Sequence, residues 1–222
     1  MDKYKWSSSF ICNNKKRKLN SKKNEDDDDD EETIPNIIIN KQSNNSIYSC
    51  GNHIYFNNDI DSTSAFNLNK ELRTVELKLK SFQMAMNVEP MPIYLHLTTD
   101  GGSIHSALSI IDCMNSITLP IYTVIDGFVA SAGTLIIVCG CKRFIGKNAY
   151  VLLHELRSGV WGKMTYLEEE FNNFKKVQEH ITNIYVDKTN FSKKKLDKLL
   201  KKDIEWNAEE AIAFGVVDEY YN

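Results

Sequence analysis

From residue 46 onward, short apolar runs rich in β-branched and aromatic residues alternate with longer segments whose apolar residues recur three and four apart. The first pattern is typical of strands, and the second of one face of a helix. Strands separated by helices of this length form βαβ units, so the sequence predicts an α/β fold with a largely parallel sheet. The predicted strands are at residues 53–56, 93–97, 121–125, near 144 and at 150–153. The predicted helices are at residues 65–86, 103–117, from after 127 through 138, 164–187 and 208–213.

The first 45 residues have a different character. A basic cluster at residues 15–23 is followed at once by the acidic run from Glu25 to Glu32. Blocks of like charge repel one another and bury no apolar surface. We therefore predict a disordered, low-complexity charged tail over residues 1–45 and one domain over residues 46–222. The basic cluster also fits a nuclear address or a nucleic-acid patch, but the adjacent acidic run neutralises part of its charge.

The composition excludes several classes of protein. Hydrophobic residues make up 42% of the 222 residues, which is enough for the core of one domain, and the formal net charge is only -3. We expect neither nucleic acid nor a membrane as a partner. No apolar stretch reaches about 18 residues, and no secretory signal pattern opens the chain. The five cysteines are odd in number and scattered, which favours reduced thiols in a cytoplasmic protein.

A metal site has one weak candidate. Cys139 and Cys141 are spaced so that both thiols could bind one ion. No second Cys/His pair completes a tetrahedral set, so we expect buried thiols and no metal.

Two glycines lie between a predicted strand and a predicted helix, in the run Asp100 to Ser103. Glycine lets the backbone approach a ligand closely, and N–H groups at a helix start have no acceptor within the helix. The loop is therefore a candidate site for an oxyanion. Taken alone, paired glycines at such a junction equally indicate an ordinary turn.

Ser131 lies in a second strand-to-helix junction, the run Gly127 to Gly133. A serine there presents its hydroxyl at the carboxyl edge of a parallel sheet, where ligand sites gather. The N–H of Ala132 would then be available as an oxyanion donor. The alternative is that Ser131 only caps the following helix, as serines commonly do.

His154 ends the predicted strand at residues 150–153. A single histidine at a strand end is more often a surface residue than a catalytic base. Its position matters here because a serine hydroxyl becomes a strong nucleophile only when a base removes its proton. Glycine loop, serine junction and histidine together supply the parts of an acyl-transfer site.

These motifs, in this order, resemble the proteolytic subunit of the ATP-dependent Clp protease, over residues 47–220. The resemblance implies a Clp/crotonase-type fold of repeated ββα units with a protruding handle helix. It implies a serine endopeptidase that cleaves unfolded polypeptides inside stacked homo-oligomeric rings, is fed by an ATP-dependent unfoldase and uses no metal or cofactor. The motifs that carry it are residues 93–103, 127–133, 152–154, 208–211 and 214–219.

The resemblance also assigns the site residues. Ser131 corresponds to the nucleophile and His154 to the general base, and the N–H groups of Gly102 and Ala132 correspond to the oxyanion hole. The segment from Glu155 to Glu170, with the helix after it, corresponds to the handle through which rings stack.

The third triad residue is less clearly assigned. The family has an acidic residue shortly before the helix predicted at residues 208–213. Without a gap this position falls on Leu199; with a shortened loop, Asp203 is the best candidate and Asp197 the second. Without such a carboxylate to orient the imidazole, turnover falls by about four orders of magnitude.

Three other readings stay open. A catalytically silent relative that serves as a ring component would tolerate the loss of the third triad residue. An acyl-CoA enzyme of the crotonase type shares the fold but needs acid/base carboxylates, and Ser131 with His154 argues against it. A Ser-Lys peptidase is disfavoured because His154 is where the Clp pattern expects the base.

Overall fold

The computed structural model describes residues 46–222, and the predicted charged tail lies outside these residues. Within these described residues, eight strands form one sheet, with the main order β1-β2-β3-β4-β5-β8; β6 pairs with β4, and β7 with β6. All neighbours are parallel except β1 with β2 and β6 with β7, which confirms the largely parallel sheet. The strands are β1 (Ile47–Cys50), β2 (His53–Asn57), β3 (Ile93–Thr99), β4 (Ile121–Ala130), β5 (Lys142–Ile145), β6 (Tyr150–Leu153), β7 (Ile204–Asn207) and β8 (Glu219–Tyr220).

Helices pack on this sheet through apolar stripes. Leu68 and Leu72 of the first helix and Ile110 of the second are fully buried in one core with Leu95 of β3. The mixed α/β fold is the predicted one, and every predicted helix has a counterpart. The helices are α1 (Ser62–Met86), α2 (Ile104–Ser116), α3 (Ala132–Val138), α4 (Met164–Lys188), α5 (Lys193–Leu199) and α6 (Ala208–Ala213).

Strand β4 changes neighbours halfway along its length. Residues 122–125 pair with β5, whereas residues 128–130 pair with β6. Two steps along β3, from Leu97 to Thr99, correspond to four along β4, from Ile125 to Val129. Gly127, with a φ of 79°, lies in the resulting bulge. The predicted helix directly after Gly127 is therefore wrong for residues 128–130, which continue the strand through their bonds to β6, and α3 begins at Ala132.

Helix α4 is buried only in its C-terminal half. Ile181, Thr182 and Tyr185 are buried, whereas Met164 and Phe171 near its start are exposed. The exposed half is the protruding handle helix that the family resemblance implies.

Candidate active site

A cavity of about 240 Å³ opens where β4 and β6 end. Four of the five predicted site residues line it: Gly102, Ser131, Ala132 and His154. The pairing Ala130–Leu152 is the last between the two parallel strands, so Ser131 follows it by one residue and His154 by two. The sheet therefore brings the hydroxyl and the imidazole to the same edge.

Ser131 has an unusual backbone conformation. Its φ of 53° and ψ of -125° lie outside the regions that ordinary residues prefer, and it holds the N-cap position of α3 without any side-chain capping bond. Such strain costs on the order of 1–3 kcal/mol and is found mostly at functional sites. The alternative reading, a serine whose hydroxyl only caps the helix, does not describe this geometry.

Gly101 is what lets the glycine loop lie against the serine. A Cβ atom on Gly101 would stand 2.6 Å from Ser131 Cβ and 2.8 Å from the carbonyl oxygen of Ala130. Its φ is also positive, at 100°. Only glycine satisfies both conditions, which explains one of the two glycines at this junction.

Two backbone N–H groups border the cavity. Around Gly102, Ile60 N–H donates to the Gly101 carbonyl and Ser103 N–H donates to the Ile60 carbonyl, both at 2.7 Å. In this parallel bridge Ile60 bonds to the residues on either side of Gly102, so the N–H of Gly102 itself points away from Ile60. Ala132 is the first residue of α3, where the N–H has no acceptor within the helix. Both groups are therefore available to a developing oxyanion.

His154 is held as one tautomer. Its Nδ1 lies 2.6 Å from the carbonyl oxygen of Glu155. Since a carbonyl can only accept, Nδ1 carries a proton, and in the neutral ring Nε2 is then the acceptor. That is the tautomer a general base requires. Within residues 46–222 no hydrogen bond joins His154 to the Ser131 hydroxyl, although both line the same cavity.

Asp203 lies next to this site but bonds elsewhere. Leu153 and Ile204 are the last pair in the antiparallel ladder of β6 and β7. The next residues in this register are His154 and Asp203, which therefore lie opposite each other. Its carboxylate forms an ion pair with Arg157, and the two side chains are 58% and 66% exposed. Asp197, the second candidate, is exposed on α5. The third member of the triad thus stays a prediction.

A family model described as Clp protease matches residues 44–222. The chain belongs to the Clp protease family. It is 30% identical over 130 residues to the ATP-dependent Clp protease proteolytic subunit 2 of Treponema denticola, a stretch covering 58% of this chain and 65% of that relative. The match therefore spans a little less than two thirds of the relative's length. The predicted family is confirmed, and it is a family of peptidases.

In this Clp family member, sequence reasoning missed two side chains at the site. Thr134 and Tyr185 are buried, and the Thr134 Oγ1 and Tyr185 OH atoms are 2.5 Å apart. Thr134 Oγ1 also lies 2.6 Å from the carbonyl oxygen of Ser131. Burial raises the pKa of the Tyr185 hydroxyl far above its ordinary value. The available signal was that Tyr185 follows the apolar Ile181 by four residues and so shares its helix face.

Neither a metal centre nor a membrane segment is found in the described part of the chain. Among residues 46–222 no group of three or more His, Cys, Asp and Glu side chains is arranged to hold a metal ion. No helix over the same residues has the length and apolar character to cross a membrane.

Proposed function

We propose that the protein is a serine endopeptidase with Ser131 as nucleophile and His154 as general base. The observation that carries this proposal is Ser131 itself. It is a strained serine at a strand-to-helix junction, its hydroxyl makes no capping bond, and it shares a cavity with an imidazole whose Nδ1 carries a proton. Neither a structural turn nor a helix cap requires this combination.

The chemistry follows from the placement of the groups. His154 Nε2 accepts the proton of Ser131 Oγ as that oxygen attacks the carbonyl carbon of the substrate peptide. The oxyanion that forms is stabilised by the N–H groups of Gly102 and Ala132. The imidazolium then gives its proton to the leaving amine, and an acyl-enzyme remains on Ser131. Water, deprotonated by His154, attacks the ester carbon; the bond to Ser131 Oγ breaks, the imidazolium returns its proton to that oxygen, and the acid product leaves.

Asp203 is the proposed third member. An aspartate that accepts from His154 Nδ1 would replace the Glu155 carbonyl in that role and would stabilise the imidazolium by its charge. In the structure Asp203 Oδ2 bonds to Arg157, so Asp203 has to turn its other oxygen, Oδ1, toward His154 or exchange Arg157 for it. Exposed ion pairs are worth about 0–1 kcal/mol, so this rearrangement is an accessible step.

The remaining features follow from the family. Unfolded polypeptide is the proposed substrate, inside a chamber formed by stacked homo-oligomeric rings in the cytoplasm. An ATP-dependent unfoldase is the proposed partner. The relative is named as an ATP-dependent Clp protease proteolytic subunit, which supports this part of the proposal. No cofactor is needed for the chemistry described.

A second candidate is a catalytically silent ring component. The ion pair of Asp203 with Arg157 favours it, because His154 Nδ1 then has only the Glu155 carbonyl to orient it. A neutral carbonyl stabilises an imidazolium less than a carboxylate does. In this candidate the chain contributes ring surfaces, and its partners supply the catalysis.

The test is covalent labelling by a fluorophosphonate probe, read by intact-mass spectrometry. The proposal expects one adduct per chain in the wild type and none in Ser131→Ala or His154→Ala. Ser103→Ala is the matched control, since Ser103 caps α2 beside the site and its hydroxyl accepts from Ser106 N–H; its adduct should remain. A folded wild type without an adduct would contradict the endopeptidase and leave the silent ring component.

A further inference from the structure

The Ser131 carbonyl is bound by a chain of two buried hydroxyls. Thr134 donates to it twice: its N–H at 3.0 Å and its Oγ1 at 2.6 Å. Because the one hydroxyl proton of Thr134 goes to the carbonyl, the bond between Thr134 and Tyr185 must use the proton of Tyr185. The direction is therefore fixed: Tyr185 donates to Thr134, and Thr134 donates to the Ser131 carbonyl.

These two hydroxyls hold a peptide group that belongs to the proposed site. The Ser131 carbonyl and the Ala132 N–H are the two ends of one peptide group. Such a group is planar and trans, so its N–H points opposite to its C=O. Hydrogen bonds that fix the carbonyl therefore also fix the direction of the N–H. Ser131 combines a φ of 53° with a ψ of -125°, a pair of angles that ordinary residues avoid, so this plane is held against the backbone preference and needs such support.

The two hydroxyls that support the Ser131 carbonyl come from two different helices. Thr134 is on α3, whereas Tyr185 is in the buried half of α4. Both residues are at most 3% exposed, so their hydroxyls bond within the protein. Tyr185 also lines the cavity that Ser131 and His154 share.

We propose that Thr134 and Tyr185 are positioning residues that aim the Ala132 N–H at the oxyanion of the reaction. This inference rests on the proposed function, because it assigns a role within the same site. Neither side chain contacts the reacting atoms. Their effect belongs to the chemical step and not to substrate binding, because oxyanion donors bind the transition state more strongly than the ground state.

The isosteric variant Thr134→Val and the variant Tyr185→Phe test this with the fluorophosphonate probe, whose phosphoryl oxygen occupies the oxyanion position. Loss of a whole oxyanion donor costs about 100- to 1000-fold in rate. For a donor that is misaligned but present, we expect kinact to fall about tenfold in each variant, with KI unchanged. The double variant should be no slower than the slower single one, because the two hydroxyls form one chain. Thr134→Ser keeps the hydroxyl and should restore kinact.

Thr123→Val is the matched control. Thr123 is also fully buried, and its hydroxyl donates at 2.8 Å to the carbonyl of Ile137, near the other end of α3. Thr123→Val removes the same kind of hydrogen bond as Thr134→Val and should lower the melting temperature by a comparable amount. It should leave kinact unchanged. A wild-type kinact in Tyr185→Phe and Thr134→Val, or an equal loss in Thr123→Val, would overturn the inference.

A readout independent of activity separates this inference from the proposed function. Absence of any adduct on the wild type would refute the endopeptidase. The crystal structure of Thr134→Val then decides the positioning role by itself. The inference expects the Ser131–Ala132 peptide plane to rotate, so that ψ of Ser131 leaves its value of -125° and φ of Ala132 changes with it. An unmoved peptide plane would overturn it.

Discussion

Gly101 shows how tightly single residues determine this site. A side chain there would meet Ser131 Cβ and the Ala130 carbonyl, neither of which can move without changing the nucleophile's position. In the sequence Gly101 equally indicates an ordinary turn, but in the structure it is required because the glycine loop packs directly against the Ser131 junction.

We therefore expect Gly101→Ala to destabilise the protein by about 2 kcal/mol or more, since it combines a positive φ with a steric clash. It should also slow probe labelling. Urea unfolding and intact-mass labelling measure the two effects. Gly159→Ala is the control, because nothing lies within 4 Å of a Cβ placed there; it should change stability by less than about 0.5 kcal/mol. Equal stability of the two variants would show that the close approach at Gly101 is not needed.

The place of Asp203 in the triad can be tested at a single residue. If Asp203 is the third triad member, Asp203→Asn should lower the labelling rate by up to about four orders of magnitude. Asp197→Asn, an exposed aspartate on α5, should leave the rate unchanged. A wild-type rate in Asp203→Asn would remove Asp203 from the triad.

Removal of the competing cation gives a smaller effect of opposite sign. An exposed ion pair holds Asp203 with about 1 kcal/mol at most, so Arg157→Gln should raise the labelling rate by no more than about fivefold. The rise should vanish when Asp203→Asn is added, because the gain depends on the freed carboxylate. A fall in rate would instead assign Arg157 a supporting role. Labelling quenched at a series of times, at fixed probe concentration, measures the rate in the wild type, in both single variants and in the double variant.

At the scale of elements, the sequence predicts the long strands and helices with a clear apolar period. It does not predict the short strands that form only through pairing with a partner. β3 and α2 carry long apolar runs of clear periodicity and were predicted to within two residues. β1, β7 and β8 have four residues or fewer, and their strand character comes from partners elsewhere in the chain. The extension of β4 to Ala130 likewise depends on β6, not on its own sequence.

The same limit applies to the site. Ser131, His154 and the glycine loop follow from motifs at strand ends, so the sequence places them at one edge of the sheet. The contacts of Thr134 and Tyr185 depend on how α4 packs against α3, which no local pattern encodes. The ion pair of Asp203 depends in the same way on the path of the loop at Arg157.

Glu76 links α1 to the segment before β4. Its Oε1 accepts from the N–H and hydroxyl of Thr118, at 2.9 and 3.0 Å, and pairs with Lys80 at 2.8 Å. Burial raises the pKa of this carboxyl, but the bonds from Lys80 and Thr118 together outweigh burial, and the pKa lies below its ordinary value. A lowered pKa in the folded state stabilises the protein above the unfolded-state pKa, about 4.3, and this stabilisation is lost as the pH falls through the folded-state value.

Glu76→Gln should therefore be less stable than the wild type at pH 7, by about 1.5–3 kcal/mol, the usual worth of hydrogen bonds to a charged group. The difference should shrink as the pH falls below about 4.3. Urea unfolding of both proteins between pH 3 and pH 7 measures it. Glu89→Gln, at an exposed loop position, is the control and should match the wild type throughout. A difference independent of pH would mean that packing, and not the charge of Glu76, stabilises this junction.

At the scale of the whole molecule, the exposed half of α4 and the loop before it present apolar side chains to solvent. Trp161 is 95% exposed, Met164 70% and Phe171 59%. Exposed apolar surface of this extent on a projecting element is typical of an interaction site. Under the proposed function, the partner is a second copy of the chain, joined through the handle when rings stack.

Phe171→Glu should therefore weaken the assembly without affecting the fold. Burying a phenylalanine contributes about 1.5–3 kcal/mol, so its replacement by a charge should weaken each contact by at least about tenfold. Asn172→Glu adds the same charge on the next exposed residue of α4 and is the matched control. Native mass spectrometry and light scattering should show smaller assemblies for Phe171→Glu and wild-type assemblies for Asn172→Glu, with equal melting temperatures for the dissociated chains. Unchanged assembly in Phe171→Glu would mean that copies of this chain do not contact one another through the handle. The exposed half of α4 would then have to bind a different partner.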